Sequence, residues 1–337
     1  MKKNEYTQMK VLVTGATGFI GGNLVRELLK QGYSVKALVR EGSVRRNIEG
    51  LDIEVAYGDL KDRVSLDKAV DGCDVLFHVA ASYTFWTSDP KAIYETNVKG
   101  TENILAAVQK KGMKKIVYTS TESTIGISQN GILGTEKGEV SLSELPGHYK
   151  KSKCMAERLV LGMCKEGLPV VVVNPTTPVG PLDVKPTPTG KLVVDFLNRR
   201  LPAYINTGLN LVDVEDVAKG HILALEKGRL GERYILGSRN LTFREILGLL
   251  ERVAGIKAPR FRMPIWLALG AAYIDAFVSG GILRRHPGIP VVGVKAARYF
   301  RHFDCSKAIR ELGMPQTPVE ESLEKAVRWF RENGYVA

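Results

Sequence analysis

The stretch Lys10-Val-Leu-Val-Thr-Gly-Ala-Thr-Gly-Phe-Ile-Gly21 decides the fold. It begins with apolar and β-branched residues, which predict a buried strand, and a helical pattern of leucines follows as far as Leu29. Between them, Gly15 permits a tight turn, Gly18 lets backbone N–H groups approach a pyrophosphate, and Gly21 lets the helix pack on the strand. Because a helix N-terminus attracts phosphate, the stretch predicts a dinucleotide site, a plain tight turn being the alternative.

Strand and helix patterns alternate along the chain that follows. Short apolar runs predict strands at 34–39, 53–60, 74–80, 115–119 and 170–173. Such alternation is typical of an α/β protein with a parallel sheet. We therefore expect a Rossmann-type, doubly wound parallel sheet that binds its ligands at the carboxyl ends of the strands.

The second predicted strand ends at Arg40, where a site selective for NAD usually has an acidic residue that binds the ribose 2′-hydroxyl. An arginine suits a 2′-phosphate instead, because its planar guanidinium can bind two phosphate oxygens at once. Arg45 and Arg46 follow in the same loop and can join this clamp, unless all three are solvated loop cations. We expect NADP(H) as the preferred cofactor, with NAD(H) as the alternative.

Three regions are predicted along the chain. Residues 1–8 form a flexible leader without the apolar stretch of a signal peptide, and residues 9–180 form the core of the NADP-binding Rossmann domain. Residues 181–337 form a mixed region that completes the sheet and builds a smaller, mostly helical lid over the substrate. The segments expected in this lid are 210–217, 243–253 and 265–278.

Composition excludes several classes of protein. A 44% hydrophobic content and 25% charged residues are ordinary for a globular chain of 337 residues. The net charge of +12 is spread along the sequence, so a small phosphate-bearing ligand or an anionic membrane surface explains it as well as nucleic acid, which we do not expect. Four cysteines without metal-ligand spacing predict reduced thiols, a cytoplasmic location and no metal site. His78 lies in an apolar run and is expected to be a hydrogen-bonded core residue.

The order of the motifs resembles that of extended short-chain dehydrogenases/reductases, the NAD-dependent epimerase/dehydratase family, over essentially the whole chain. The motifs that carry this resemblance are Thr14–Gly21, Gly58–Leu60, Asn97–Thr101, Tyr149–Lys153 and Asn174–Gly180. Within the family the chain looks most like the hopanoid-associated sugar epimerase group, and dihydroflavonol reductases are near relatives. The phrases that carry this narrower similarity are Phe77–Ala81, Gly147–Lys150, Lys185–Gly190 and Asn206–Leu211.

The resemblance adds cofactor contacts to those that the glycine turn and Arg40 predict. It implies that Asp59 and Leu60 lie at the adenine end, that Ala80 and Ala81 form a wall beside the dinucleotide, and that the loop from Asn174 touches the nicotinamide. The complete set of expected cofactor contacts is Gly15, Thr17, Gly18, Phe19, Ile20, Arg40, Arg45, Asp59, Leu60, Ala80, Ala81, Tyr149, Lys153, Asn174, Pro175 and Thr177.

Tyr149 and Lys153 are four residues apart and therefore share one face of a helix that is predicted from His148 to Leu161. A nearby ammonium favours the phenolate, so we expect the pKa of Tyr149 to fall from roughly 10 towards neutrality, where the residue can act as an acid or base. The resemblance implies the same catalytic roles and adds a hydrogen bond from Lys153 to the nicotinamide ribose. Without the glycine turn, an exposed surface pair would be the simpler interpretation.

The third catalytic residue follows the predicted strand at 115–119. Aligning Gly126 with the glycine that closes the family's motif puts Thr121 in this role, and Ser123 is the alternative. Dehydratases of the family carry Thr-Asp-Glu here, whereas this chain reads Thr121-Glu122-Ser123 and lacks the second acid. We therefore expect Glu122 in a turn or in contact with the substrate, and a lone carboxylate leaves dehydration open as an alternative.

The carboxyl-terminal region is expected to select the substrate. Lys185, Asn206, Asn210 and Arg262 are candidate contacts, and each can equally be a surface or capping residue. Asp216 precedes a helical pattern and is predicted to be its N-cap.

Residues 265–283 are apolar and have two arginines on each side. Asp275 and the pair Gly280-Gly281 argue against a helix that spans a membrane. The segment is then either a helix packed within the lid or an interfacial helix that makes peripheral membrane contact.

Together these features predict an NADP(H)-dependent oxidoreductase or epimerase that acts on a nucleotide-sugar, a sugar or a sugar-like alcohol or ketone. The alternatives are a ketone reductase similar to dihydroflavonol reductases, a sugar dehydratase, and an NADPH sensor without turnover. The expected partner is a small-molecule substrate, and a homodimer is in keeping with the resemblance.

Overall fold

The computed structural model describes residues 9–84, 87, 89–126, 132–282 and 288–336. The expected leader at 1–8, and residue 283 with the two arginines after it, lie outside these described residues. The strands are β1 (Lys10–Thr14), β2 (Ser34–Val39), β3 (Glu54–Tyr57), β4 (Val75–His78), β5 (Lys115–Thr119), β6 (Val170–Pro175), β7 (Thr177–Val179), β8 (Gly208–Asp213), β9 (Arg233–Leu236) and β10 (Arg239–Thr242).

Helices connect and cover these strands. The α-helices are α1 (Phe19–Lys30), α2 (Arg63–Val70), α3 (Pro90–Tyr94), α4 (Gly100–Lys111), α5 (His148–Lys165), α6 (Pro188–Leu197), α7 (Val214–Lys227), α8 (Phe243–Ala254), α9 (Ile265–Asp275), α10 (Val291–Ala296) and α11 (Val319–Glu332). Short stretches of π-helix occur at Glu95–Lys99, Ala276–Ile282 and Ala308–Leu312, and a 3₁₀ turn occurs at Glu122–Thr124.

Seven parallel strands form the main sheet in the order β3-β2-β1-β4-β5-β6-β9. The strand order reverses between β1 and β4, and in such sheets ligands bind at the carboxyl ends beside this reversal. Both faces of the sheet are covered: α1 and α7 pack on one side, and α2, α4 and α5 pack on the other. The doubly wound α/β prediction is confirmed.

A second, smaller sheet and a pair of helices lie outside the main sheet. Strands β10, β8 and β7 form a second sheet, which α6, α8 and α11 cover with their apolar faces. Helices α9 and α10 pack on each other around Ala268, Ala272 and Val294. No helix within the described residues is both long and apolar enough to cross a bilayer.

Two expectations for the carboxyl-terminal region were wrong. Segment 210–217 is not part of a helical lid, because it ends β8 and then begins α7, which packs on α1 in the main core. The N-cap of α7 is Asp213, whose carboxylate accepts the Glu215 N–H at 2.7 Å. Asp216 is buried and accepts the Thr317 N–H at 2.7 Å. The division at residue 180 stays a prediction.

Candidate active site

The glycine turn lies at the strand reversal and has the shape that the sequence predicts. Gly15 has a φ of +73°, and a Cβ there would lie 2.7 Å from the Ala80 nitrogen. A Cβ on Gly21 would lie 2.1 Å from the Gly15 carbonyl oxygen. Helix α1 follows without a side-chain cap, which leaves its first N–H groups for a ligand. The turn therefore fits the pyrophosphate of a dinucleotide.

A cavity of about 1490 Å³ extends from this turn to α10. Ligand pockets commonly measure about 300–1,000 Å³, so this one has room for a dinucleotide and a second molecule. Most of the predicted site residues line its wall, namely Gly15, Thr17, Gly18, Phe19, Ile20, Arg40, Asp59, Leu60, Ala80, Ala81, Thr121, Glu122, Tyr149, Lys153, Pro175, Thr177 and Lys185.

Two expected cofactor contacts lie elsewhere. The guanidinium of Arg45 lies 4.9 Å from the centroid of the Tyr57 ring, and Arg46 lines the cavity in its place. Asn174 is fully buried behind the loop that follows β5. Its side-chain amide donates to the Thr121 carbonyl at 3.1 Å and to the Glu157 carboxylate at 2.8 Å, so it supports this loop from behind.

The expected substrate contacts in the carboxyl-terminal region do not all line the cavity. Asn210 is buried in β8, where its side-chain oxygen accepts the Thr176 hydroxyl at 2.9 Å. Asn206 is exposed outside the cavity wall, although its neighbours Ile205 and Thr207 line it. Arg262 is exposed as well. Of the four candidates, Lys185 alone lines the cavity.

Tyr149 lies in the first turn of α5, beside the loop that follows β5. The side chain of Thr121 lies beside its phenol and acts to lower the pKa of Tyr149. The Thr121 hydroxyl also accepts the Ser123 N–H at 3.3 Å and caps the 3₁₀ turn. This arrangement favours Thr121 over Ser123 as the group that orients a substrate oxygen at Tyr149.

Lys153 reaches towards β5. Its ammonium donates to the Thr119 carbonyl at 2.7 Å and to the Tyr118 hydroxyl at 3.1 Å, and burial lowers its pKa to about 8. Removal from water raises the pKa of Tyr149 well above its usual value, although the neighbouring Thr121 side chain opposes the shift. The expected fall in the pKa of Tyr149 was therefore wrong for this structure, because desolvation of the phenol dominates.

Glu122 forms an ion pair that the sequence did not predict. Its carboxylate binds the guanidinium of Arg301, and both side chains are 13% exposed in the cavity wall. Burial lowers the pKa of Arg301 to about 10, where the guanidinium is still charged at neutral pH. Glu122 is thus occupied as an ion-pair partner, which argues against its use as the acid of a dehydratase.

Two further residues at the site were missed. The ring of Tyr83 lies 4.6 Å from that of Tyr149, between centroids. Lys150 lines the cavity and is only 4% exposed, and burial lowers its pKa to about 8. Within the described residues no acceptor lies at hydrogen-bonding distance from its ammonium, so it is available to an anionic group of a substrate. Its place directly after Tyr149 was the only signal in the sequence.

His78 is a core residue, as predicted. Its Nδ1 lies 2.7 Å from the Thr14 hydroxyl and its Nε2 lies 3.0 Å from the Thr101 hydroxyl. Burial lowers its pKa to about 3, so the ring is neutral and serves to join β1 and β4 to α4.

The fold and this site define an enzyme of the extended short-chain dehydrogenase/reductase type. Residues 11–237 match the NAD dependent epimerase/dehydratase family, and the chain belongs to that family.

Two curated relatives and one solved structure are similar to this chain over nearly its whole length. A putative dihydroflavonol 4-reductase of Synechocystis sp. is 46% identical and covers 96% of this chain and 95% of its own. Sterol demethylase protein B of Methylococcus capsulatus is 35% identical and covers 97% of this chain and 100% of its own. The crystal structure of gox2253 has a TM-score of 0.87 at 39% identity and covers 97% of this chain and 99% of its own.

Proposed function

We propose that this protein is an NADP(H)-dependent oxidoreductase that reduces a ring ketone to an alcohol, or carries out the reverse oxidation. The observation that carries the proposal is the position of Tyr149 beside Thr121, in the same cavity wall as Lys153 and the glycine turn. The relatives named as a reductase and as a sterol demethylase protein support a ketone or alcohol on a ring.

The residues act on the substrate oxygen. The reduced nicotinamide, when bound, supplies the hydride. Tyr149 keeps its proton until reaction, because its raised pKa disfavours the phenolate, and it donates this proton to the oxygen as negative charge develops there. Thr121 orients the oxygen, and Lys153, as a nearby cation, favours the phenolate that remains.

Cofactor preference rests on the loop after β2. Arg40 is exposed and lines the cavity, and Arg46 lines it from the same loop. Two guanidinium groups suit a 2′-phosphate, which supports NADP(H) over NAD(H). If this is correct, Arg40→Ala weakens the binding of NADPH while the binding of NADH changes little, as measured by isothermal titration.

The test of the proposed function is turnover of NADPH with a panel of ring ketones. Turnover is measured as the loss of the reduced-nicotinamide absorbance. Tyr149→Phe is expected to lower the rate about 10²- to 10⁴-fold and to leave NADPH binding intact. Tyr33→Phe is the matched control, because its hydroxyl donates to Glu226 and neither residue lines the cavity.

The panel also separates the alternatives. Conversion of a sugar without net change in this absorbance, with the cofactor retained in the purified protein, would assign epimerisation. Equal behaviour of wild type and Tyr149→Phe in every assay, with NADPH still bound, would assign a sensor.

A further inference from the structure

Helix α9 has the inverse of the usual arrangement of side chains. Its buried residues are the small Ala268 and Ala272, whereas Trp266 and Ile274 are 71% and 68% exposed. Phe277, in the π-helix that follows α9, is 69% exposed. Single exposed apolar residues are ordinary on protein surfaces, but a contiguous apolar patch usually marks a binding surface.

The exposed residues share one side of the segment. Positions 266, 270, 273, 274, 277 and 278 are all exposed, and this spacing follows the turns of a helix. Leu267, Tyr273 and Val278 extend the apolar surface, at 43%, 53% and 39% exposure. We call the exposed residues of 266–278 the apolar face.

Positive charge lies next to the apolar face, because the Lys295 ammonium is 5.6 Å from the centroid of the Tyr273 ring. Exposed cations on the flanking segments are Arg260, Arg262, Lys295 and Arg298. Asp275 is the single carboxylate in the sequence between residues 256 and 303. It accepts the Ser279 hydroxyl and the Ile289 N–H, both at 2.7 Å, and so connects the end of α9 to the residues just before α10.

The inner side of the same unit forms part of the cavity wall. Helix α10 packs on α9 through Val294, while its Gly293 and Ala296 line the cavity. Val292 closely approaches Gly147, since a Cβ on that glycine would lie 2.9 Å from a Val292 methyl carbon. Gly147 is the N-cap of α5, which carries Tyr149. We call the unit of α9 and α10, which bears the apolar face, the lid. The lid thus contacts α5, the helix that carries Tyr149.

We propose that the apolar face docks on an anionic lipid bilayer and that the lid delivers bilayer-dissolved substrate to the cavity. Apolar side chains at the acyl boundary with cations at the headgroups are the arrangement of interfacial helices. A second copy of the chain fits less well, because a two-fold pair would bring two cationic borders together. Substrate delivery rests on the proposed function, whereas docking does not.

The test is sedimentation of the full chain with vesicles of phosphatidylcholine and phosphatidylglycerol, and with phosphatidylcholine alone, without any substrate. Wild type is expected to bind the anionic vesicles at least tenfold more tightly than the neutral ones, and added salt weakens the binding. Trp266→Glu with Phe277→Glu is expected to reduce binding to the anionic vesicles at least tenfold.

A matched control carries the same change of charge elsewhere. Val64→Glu with Leu230→Glu replaces two apolar residues that are 66% and 55% exposed outside the lid, and it is expected to bind like wild type. NADPH binding and gel filtration establish that each variant is folded. Equal binding by both double variants overturns the proposal, as does failure of wild type to bind. If gel filtration shows that wild type is a dimer and that only Trp266→Glu with Phe277→Glu is a monomer, the apolar face binds a second copy of the chain.

These results do not depend on the enzyme assay. If wild type does not bind vesicles but turns over a soluble ketone with NADPH, only the docking proposal is contradicted. If wild type binds vesicles but turns over no ketone, the proposed function is contradicted and the docking proposal is supported.

Discussion

Helices α1 and α9 both carry large apolar side chains, yet they place them differently. Helix α1 buries Leu24, Val25 and Leu28 between the main sheet and α7. Helix α9 buries alanines and exposes Trp266 and its large neighbours. The comparison teaches that the position of the large side chains, more than the apolar content of a helix, shows what the helix packs against. The large side chains of α1 pack in the core of this chain, whereas those of α9 are available to a surface outside it.

The largest expected contrast comes from truncating one large residue in each helix. Leu28→Ala leaves a cavity in the close-packed core and is expected to lower the free energy of unfolding by about 2–5 kcal/mol. Trp266→Ala removes a mostly exposed ring and is expected to change it by no more than about 0.5 kcal/mol. Urea unfolding followed by circular dichroism measures both. Similar costs for the two variants would show that α9 is covered in solution and would break the comparison.

A smaller contrast is expected from one glycine in each helix. A Cβ on Gly21 would overlap the Gly15 carbonyl, so Gly21→Ala is expected to cost about 1–3 kcal/mol and to weaken NADPH binding. Around Gly270 nothing lies within 4 Å of such a Cβ, and Gly270→Ala is expected to stabilise by up to about 1 kcal/mol through helix propensity. Thermal unfolding with and without NADPH measures both effects. A destabilising Gly270→Ala would indicate a contact on α9 that the isolated chain lacks.

The core could be predicted because its determinants are local. The run from Lys10 to Gly21 contains the strand, the turn glycines and the start of α1, and their structure follows from steric limits on neighbouring residues. Tyr149 and Lys153 were placed together by helix geometry alone. His78 was placed in the core because its neighbours are apolar.

The rest depends on contacts between distant residues. Arg301 meets Glu122 from 179 positions away, and no pattern near either residue indicates the pair. Segment 210–217 was misassigned because β8 passes into α7 without a Gly or Pro between them. The direction of the Tyr149 pKa shift was missed because sequence spacing gives the proximity of Lys153 but not the loss of water around the phenol.

The smallest expected effect concerns two lysines of the core site, and it separates their roles. Burial lowers the pKa of both Lys150 and Lys153 to about 8, since desolvation disfavours the charged form. Each is therefore an ammonium below this pH and neutral above it. Lys153 is expected to stabilise the phenolate left by proton transfer, so kcat/KM for ketone reduction falls roughly tenfold per pH unit above about pH 8.

Substitution by methionine identifies the lysine responsible. Lys153→Met is expected to be slow at every pH and to lose the alkaline decline, because no ammonium remains beside Tyr149 to titrate. Lys150→Met is expected to keep the decline and, if Lys150 binds an anionic group of the substrate, to raise KM for that substrate. Profiles of kcat and kcat/KM from about pH 6 to about pH 10 distinguish these outcomes. The opposite result would be an alkaline decline that persists in Lys153→Met but disappears in Lys150→Met. It would show that Lys150 is the group that titrates and that it acts on substrate binding. Tyr149 would then donate its proton without help from the Lys153 ammonium.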